Sequence, residues 1–552
     1  MTDRGLTQRL RTVAFRNPLY AMSLGRGVPR QLALLPPDPW PGQVERGQEL
    51  ISGLYRFAGE KRETDRPPWK APGAGDAFRF ELHSFEWLRD LRAVGGDGAR
   101  RHARTLVADW IETFDRWDAV AWQPDTLGLR IANWLAGHDF FCASAEDDFR
   151  RAVFASIARQ AKHLARALPG GLKGQRLMMA LKGLIYGGLA LQWPDDRLHQ
   201  SLDQLEATLP EQILPDGGHI ERNPGTLMTV LRHLIDIRAA LRAFRVPIPD
   251  DVEHAIDRMA PALRFFRHGD GGLALFNGAF VGQPVLIDTV LAQADARGRP
   301  LKSAVQSGYE RALQGRTLLL VDVGGPPPNG LDKSAHAGLL AFELSVGRER
   351  LFVNCGAWPG GGGEAGFAWH QALRATAAHT TLVLGDTNAL ALLPDGGVIR
   401  RGQPLRTLIE MERQEGGGSV LIEASHEGYR HGYGLVHKRR LYLTDNGGEL
   451  RGEDVLEPDR GRHRGGDRFH VRFHLHPGVQ ALMAQGGDAA LLRLPGGVGF
   501  RFRAVGGELE LDDSLYFGDP REPRRARQLV VAGTTAPEGA TVRWELRREK
   551  RG

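Results

Sequence analysis

The chain reads as two halves of different class. Residues 1–310 form an all-α half, built as a helical solenoid or (α/α) toroid, and residues 316–552 form a large antiparallel β-sandwich. Three observations predict this. Roughly the first 300 residues repeat apolar positions at helical spacing, punctuated by Gly and Pro. Near residue 316 the period drops to two. Beyond that point come ten or more short strand-like runs with no helical pattern between them, which favours an antiparallel sandwich over an alternating α/β fold.

In the helical half, GARRHARTLVADWIETFDRW places Leu106, Val107, Trp110 and Ile111 on one stripe. TLGLRIANWLAGHDFF, DFRRAVFASIARQAKHLARAL, RLMMALKGLIYGGLALQW, LMTVLRHLIDIRAALRAF and VEHAIDRMAPALRFF follow in the same manner. Short connections between such helices imply antiparallel neighbours. No repeat is sharp enough to name a tetratricopeptide or HEAT array. The densest polar cluster of this half, Asp216 to Pro224, lies between two helices, with Asn223 as an N-cap and Pro224 at the first helical position.

The β half opens with TLLLVDVGG. KSAHAGLLAFELSVGRERLFVNCGAW, from Lys333, then reads as two strands joined by a tight turn. His336, Gly338, Leu340, Phe342, Leu344 and Val346 make one face of the first strand, an apolar row that begins with an imidazole. The second strand ends in Asn354-Cys355-Gly356, which core packing does not require. Further on, DNGG within HKRRLYLTDNGGELRGEDVL marks a hairpin. DRFHVRFHLHPGV, GVGFRFRAVGGELELDDSLYFG and TVRWELRRE continue the strand pattern.

Composition narrows the function classes. With 72 Lys and Arg against 66 Asp and Glu, the chain carries a net charge of +6, which favours an acidic partner without selecting one. Two distant cysteines, Cys142 and Cys355, make no disulfide framework. The basic N-terminus lacks an uninterrupted apolar core of signal-peptide length, since Arg11 and Arg16 break it. No run approaches the roughly twenty apolar residues of a membrane span. A cytoplasmic protein is the expectation. There is no phosphate-binding loop, no placed dinucleotide fingerprint and no nucleophile elbow. The basic stretch GGDGARRHARTL is one helix face and does not make a nucleic-acid site.

Five motifs carry a family resemblance. ILPDGGHIERNP (Ile213 to Pro224), HAGLLAFEL (His336 to Leu344), LFVNCG (Leu351 to Gly356), RATAAHTTLVL (Arg374 to Leu384) and HEGY (His426 to Tyr429) occur in order across the α-to-β boundary. Together they resemble the heparinase II/III-like polysaccharide lyases and the related alginate lyases. That resemblance implies an α-helical toroid followed by an antiparallel sandwich, and β-elimination on a uronate-containing glycan. Elimination needs a group that neutralises the substrate carboxylate, a base for the C5 proton and an acid for the leaving oxygen.

The resemblance also implies site residues. Where the family brings a Tyr-His pair into the cleft, this chain has Thr226 and Leu227. The upstream neutraliser position matches Gln175-Arg176. An H-x-H-A-D-like string reads Ser334-Ala335-His336-Ala337-Gly338, so that the first His and the Asp are absent. His336, Asn354 and His379 match the family's zinc ligands, with Cys355 beside Asn354 as a second candidate donor, which makes Zn²⁺ the one implied cofactor.

Residue chemistry adds further candidates. His219, Glu221 and Arg222 suit a base, an orienting acid and a carboxylate clamp. Arg130, Asn133 and Trp134, with Trp117 and Trp122 upstream, suit a sugar-binding wall, although Trp at helical spacing is more often core. Tyr429 offers a phenol in place of the missing cleft Tyr, against a plain role in sheet packing. His470, Arg472, His474 and His476 alternate on one strand face, commonly a solvated one. The leading expectation is a lyase acting on an acidic polysaccharide or oligosaccharide, with altered catalytic residues. The runner-up is a lyase-like module that binds such a glycan without cleaving it, and the third class is a partner-binding scaffold.

Overall fold

The computed structural model describes residues 13–25, 32, 35–168, 170–360, 363–394, 396–398, 410–459 and 463–549. The chain divides into two compact units that interleave along the sequence. Met1–Glu211, Thr229–Ile256 and Pro359–Phe367 make the first; Gln212–Met228, Asp257–Trp358 and Ala368–Gly552 make the second.

Helices dominate the N-terminal part: Pro18–Leu24 (α1), Val44–Ile51 (α2), Asp76–Ser84 (α3), Leu88–Val94 (α4), Gly96–Thr113 (α5) and Pro124–Ala136 (α6). His138–Phe141 (α7), Asp147–Ala167 (α8), Gly174–Ala190 (α9), Asp195–Gln212 (α10), Pro224–Ala243 (α11) and Asp250–Phe265 (α12) continue the series, and Pro284–Ala294 (α13) closes it. Local chemistry explains several of their ends. Helix α6 starts on Pro124, where a missing N–H costs nothing. Helix α8 carries Asp147 and Asp148 in its first turn and Arg166 in its last, matching the helix dipole. Helices α6 and α9 cross at Gly128 and Gly183, and a Cβ on Gly183 would lie 2.2 Å from the Gly128 carbonyl oxygen. Only glycine permits that approach. None of the described helices is long and apolar enough to cross a membrane.

The core of the first unit is aromatic. Trp110 and Trp134 pack edge to face at 5.4 Å, and Phe85 meets Trp134 at 5.3 Å. A buried ion pair joins two helices: Lys182 of α9 reaches Asp236 of α11 at 2.5 Å, and Trp40 Nε1 donates to the same carboxylate at 2.7 Å. Glu81 of α3 has no ion-pair partner among the described residues, and burial pushes its carboxyl up to about 7, with Arg46 only partly opposing. The native state therefore holds a proton on Glu81 that the unfolded chain releases. Its share of stability is full below about pH 4.5 and is lost as pH rises through about 7. Glu81→Gln should raise the unfolding free energy at pH 8 by an order of 2 kcal/mol and change it little at pH 4.5, as thermal melts at the two pH values would report. Equal effects at both would refute the burial account.

The second unit is built of antiparallel sheets. Ser303–Ala304 (β3), Tyr309–Gln314 (β4), Thr317–Asp322 (β5), Phe342–Val346 (β6) and Glu349–Phe352 (β7) form five strands in sequence order, β1 and β2 being the short hairpin Leu54–Phe57 and Glu60–Glu63 of the first unit. Next come Leu382–Leu384 (β8), Met411–Gly416 (β9), Ser419–His426 (β10), Leu435–Leu443 (β11), Glu449–Pro458 (β12), Arg468–His474 (β13) and Gln480–Met483 (β14). The last are Ala489–Arg493 (β15), Gly499–Val505 (β16), Glu508–Tyr516 (β17), Arg524–Thr534 (β18) and Ala540–Arg548 (β19). One sheet of eight runs β14-β15-β16-β19-β12-β11-β10-β9, and one of four runs β17-β18-β13-β8.

Strand β11 alternates buried and half-buried residues along its whole length, the period of a sheet with one face on a core. The DNGG turn joins β11 to β12 with Leu443 opposite Leu450, as its chemistry predicts. Between the sheets Phe342 stacks on Trp544 at 5.7 Å, with Phe473 4.8 Å from the same indole.

One expected strand is shorter than its alternation suggested. Only Phe342–Val346 is extended, and His336 to Ala341 is irregular. Leu340 adopts φ 56°, which breaks the strand path, and Ala341 N turns back to Gly338 O. Its backbone is satisfied elsewhere: Ala337 N donates to Arg374 O, and the Thr376 and Thr381 hydroxyls donate to Ala337 O and Leu339 O. An apolar run buried on every side has no need of a ladder to stay in place.

Candidate functional site

The polar loop Ile213 to Pro224 and the His336 segment come together in the second unit. Asn223 caps α11 as expected, its Oδ1 accepting from Gly225 N at 2.7 Å and Thr226 N at 3.0 Å. Thr226 and Leu227, on the first turn, are buried. Arg222 sits at φ 54° and is 8 % exposed. Its guanidinium pairs with Asp322 and donates to the carbonyls of Ser307, Gly308, Gly324 and Gly325. A Cβ on Gly324 would lie 2.2 Å from that guanidinium, so the glycine is what admits it. The Arg222 fork is thus saturated inside the fold.

The Arg222 carbonyl begins a relay. It accepts from Tyr309 Oη at 2.6 Å, Asn277 Nδ2 donates to that hydroxyl at 2.9 Å, and Asn277 Oδ1 accepts from His336 N at 3.1 Å. His219 is buried nearby in the same loop, with Nδ1 accepting from Glu221 N at 3.2 Å and Nε2 facing Gln212 Oε1 at 3.3 Å. Burial lowers its pKa to about 3, so it is neutral at pH 7. Glu221 is 8 % exposed.

His336 and His379 meet directly, Nδ1 to Nε2 at 3.0 Å. The network assigns the protons: His379 Nδ1 lies 2.8 Å from Ala375 O and must donate there, so His379 Nε2 accepts and His336 Nδ1 donates. Burial, then the neighbouring imidazole, lowers the pKa of His336 well below the ordinary histidine range, and burial lowers that of His379 to about 4. Asn354, the third residue of this corner, is fully buried. Its Oδ1 accepts from Thr380 N at 3.0 Å, and its Nδ2 lies 3.4 Å from Glu343 Oε1.

Zinc requires three or four N, S or O donors with open lone pairs. The corner has two imidazoles bonded to each other and a neutral amide engaged at both atoms. Cys355 is turned away toward His474 Nδ1 at 3.4 Å, and burial pushes its thiol up to about 12. Among the described residues no group of three His, Cys, Asp or Glu is placed to hold a metal ion. The residues present do not fit zinc.

The remaining candidates lie apart. Arg130, Asn133 and Trp134 are buried in the first unit. Arg130 stacks 4.0 Å from the Trp110 ring and donates to Gln160 and to His83 O, while Asn133 donates to Ser84 O. Arg176 is at the surface, paired with Asp125 at 2.5 Å. Tyr429 Oη donates to Leu382 O at 2.8 Å, and burial raises its pKa. His474 is buried between Ser514 Oγ and Ala377 O.

Sequence reasoning missed the residues that hold the corner. Glu343, fully buried, accepts from Leu275 N and Asn354 N and pairs with His268 Nε2 at 2.9 Å, whose Nδ1 accepts from Ser345. Arg350 lies 3.8 Å from Glu343 and pairs with Asp270. A lone carboxylate inside the apolar run AFELSV was the available signal. A second buried network, His426–His437–Asp454–Arg439, had none at the level of spacing.

The family model described as Heparinase II/III N-terminus matches residues 56–290, and that described as Heparinase II/III-like, C-terminal, matches residues 296–545. The chain is 34 % identical over 532 residues to FtsZ-localized protein C of Caulobacter vibrioides (strain NA1000 / CB15N), covering 94 % of this chain and 90 % of that one. A crystal structure of heparinase III superposes with a TM-score of 0.74 at 14 % identity, covering 96 % of this chain and 87 % of the other. Heparan sulfate lyase HepC from Pedobacter heparinus gives 0.61 at 14 %, covering 92 % and 83 %. At such identity the solved structures speak for the fold alone, an (α/α) toroid followed by an antiparallel sandwich.

Proposed function

The chain belongs to the heparinase II/III-like family, and from that premise we propose that it is a non-cleaving member, which binds an acidic glycan rather than eliminating across it. One observation carries this: the Arg222 clamp is already engaged within the fold, and the candidate histidines are buried with lowered pKa. The Arg222 fork holds Asp322 and four carbonyls, leaving no pair of N–H groups for a substrate carboxylate. With His336 Nδ1 donating to His379, the lone pair is on Nε2, and the pKa lowered by burial makes that imidazole a weak base. Thr226 and Leu227 supply neither base nor acid.

An ultraviolet assay for the unsaturated uronate product, run on heparan, chondroitin, alginate and polygalacturonate, should stay flat at every pH between 6 and 9. Calorimetry on the same panel should detect binding to at least one. A rising absorbance that His336→Ala abolishes would establish a lyase instead.

A second reading concerns place. The relative at 34 % identity is named for localisation with FtsZ, and likeness along nearly the whole chain supports carrying that association here, with a cytoplasmic location. Cosedimentation with polymerised FtsZ tests it, and recovery only in the supernatant would refute it.

A further inference from the structure

Arg130, Arg374 and Arg439 are among the largest fully buried side chains of the protein. A guanidinium taken out of water needs a countercharge, or an acceptor for each of its nitrogens. Arg439 has the Asp454 carboxylate at 2.7 Å. Arg374 donates from Nε to Ala335 O, from Nη1 to Leu393 O and from Nη2 to Gly397 O. Arg130 has neither. Its Nε donates to Gln160 Oε1 at 2.8 Å and its Nη1 to His83 O at 2.9 Å, but Nη2 has no hydrogen-bond partner. No carboxylate among the described residues pairs with it: Asp118 acts on it only from longer range, with its Oδ1 taken by Val120 N and Ala121 N.

The surroundings do not complete it. The guanidinium lies 4.0 Å over the Trp110 ring, and Trp134 packs on the same indole edge to face. His83 is neutral, burial lowering its pKa to about 3, and its Nδ1 already accepts from Trp110 Nε1 at 3.1 Å. Trp134 carries the second deficit: it is fully buried, and its indole N–H has no acceptor. Arg130 and Trp134 stand four residues apart on α6, one turn along one face of the helix. We propose that the idle Nη2 of Arg130 and the idle Nε1 of Trp134 hold a small monovalent anion, of the chloride class, inside the helical unit.

Charge and enclosure select the occupant. A water molecule would accept from both donors and leave the guanidinium charge uncompensated among aromatic rings. Attraction to the face of Trp110 offsets only part of that cost. A divalent anion would replace one excess charge with another. One monovalent acceptor answers both deficits at once. It must be small, because Arg130 and Trp134 are both 0 % exposed and sit in a close-packed interior. A glycan chain does not fit such a place, so the anion site is independent of the glycan reading above.

The test is thermal unfolding of the full chain while sodium chloride replaces sodium gluconate, whose anion is too large for an enclosed site, at constant ionic strength. Raising chloride from about 1 to about 100 mM should lift Tm by about 5 °C, since an ion that binds only the folded state stabilises it by mass action. Arg130→Met should abolish the rise. Trp134→Phe, which keeps a ring and loses the N–H, should move its midpoint to several-fold more chloride. Arg101→Ala, which removes an exposed charge on a neighbouring helix, should leave the rise unchanged. A wild-type Tm indifferent to chloride would overturn the site, and so would a rise that persists in a folded Arg130→Met variant. Circular dichroism verifies the fold of each variant. If Arg130→Met does not fold, wild-type crystals grown in sodium bromide decide the matter. An anomalous-scattering peak beside Arg130 Nη2 is expected, and its absence would overturn the site.

Discussion

Replacing Arg222 with Met should destabilise the protein by about 3 to 5 kcal/mol, the cost of leaving a buried charge without its partner. The reason lies in what the guanidinium holds. Asp322 is 5 % exposed, and its carboxylate faces Arg222 and Gly324 N. Without the cation, Asp322 must remain an uncompensated buried anion or take a proton. Four carbonyls lose a donor in the same step. The left-handed backbone at Arg222, which costs an L-residue roughly 1 to 2 kcal/mol, would lose the contacts that hold it. Urea unfolding read by tryptophan fluorescence measures the loss. Adding Asp322→Leu to Arg222→Met should recover most of it, because removing both charges ends the desolvation problem that removing one creates. A single variant that loses less than about 1 kcal/mol would show that the ion pair is not what holds the loop.

Acid should unfold this protein between about pH 5.5 and 4. The groups responsible are histidines held neutral by burial: His83, His219 and His474 are lowered to about 3, and His379 to about 4. Each has a folded pKa below its unfolded value, so the unfolded chain binds more protons as pH falls below about 6.5. Their contribution is full above that value and is lost as pH drops toward the folded pKa. At pH 5 each costs on the order of 2 kcal/mol, and four together rival the whole stability of an ordinary domain. Asp454 works in the opposite direction: the adjacent Arg439 and His437 hold its carboxyl far below the usual range against the effect of burial, so it stays charged throughout this window. Circular dichroism titration checks the midpoint, and His219→Gln should move it to lower pH by removing one titrating group. A native spectrum that persists to pH 4 would refute the argument.

Two kinds of information separate cleanly in this chain. Periodicity and turn chemistry were local, so the helical and strand halves, the Asn223 cap and the DNGG hairpin could be read from residues a few positions apart. The family resemblance was legible too, because five short motifs keep their order whatever their side chains have come to do. The side chains' employment was not legible. His336, Asn354 and His379 match a metal corner by resemblance, yet the two imidazoles bond to each other, and the partners that hold this corner, Glu343, Thr380 and Ala375, come from separate segments. Arg222 looks like a carboxylate clamp from its neighbours Glu221 and Asn223, but its partner Asp322 lies 100 residues away. The sequence by itself determined which segments are helix or strand and which chemical groups are present, since those depend on local propensity and composition. Only the tertiary structure decided which polar groups are free, because burial and hydrogen-bond saturation are set by contacts between residues distant in the chain.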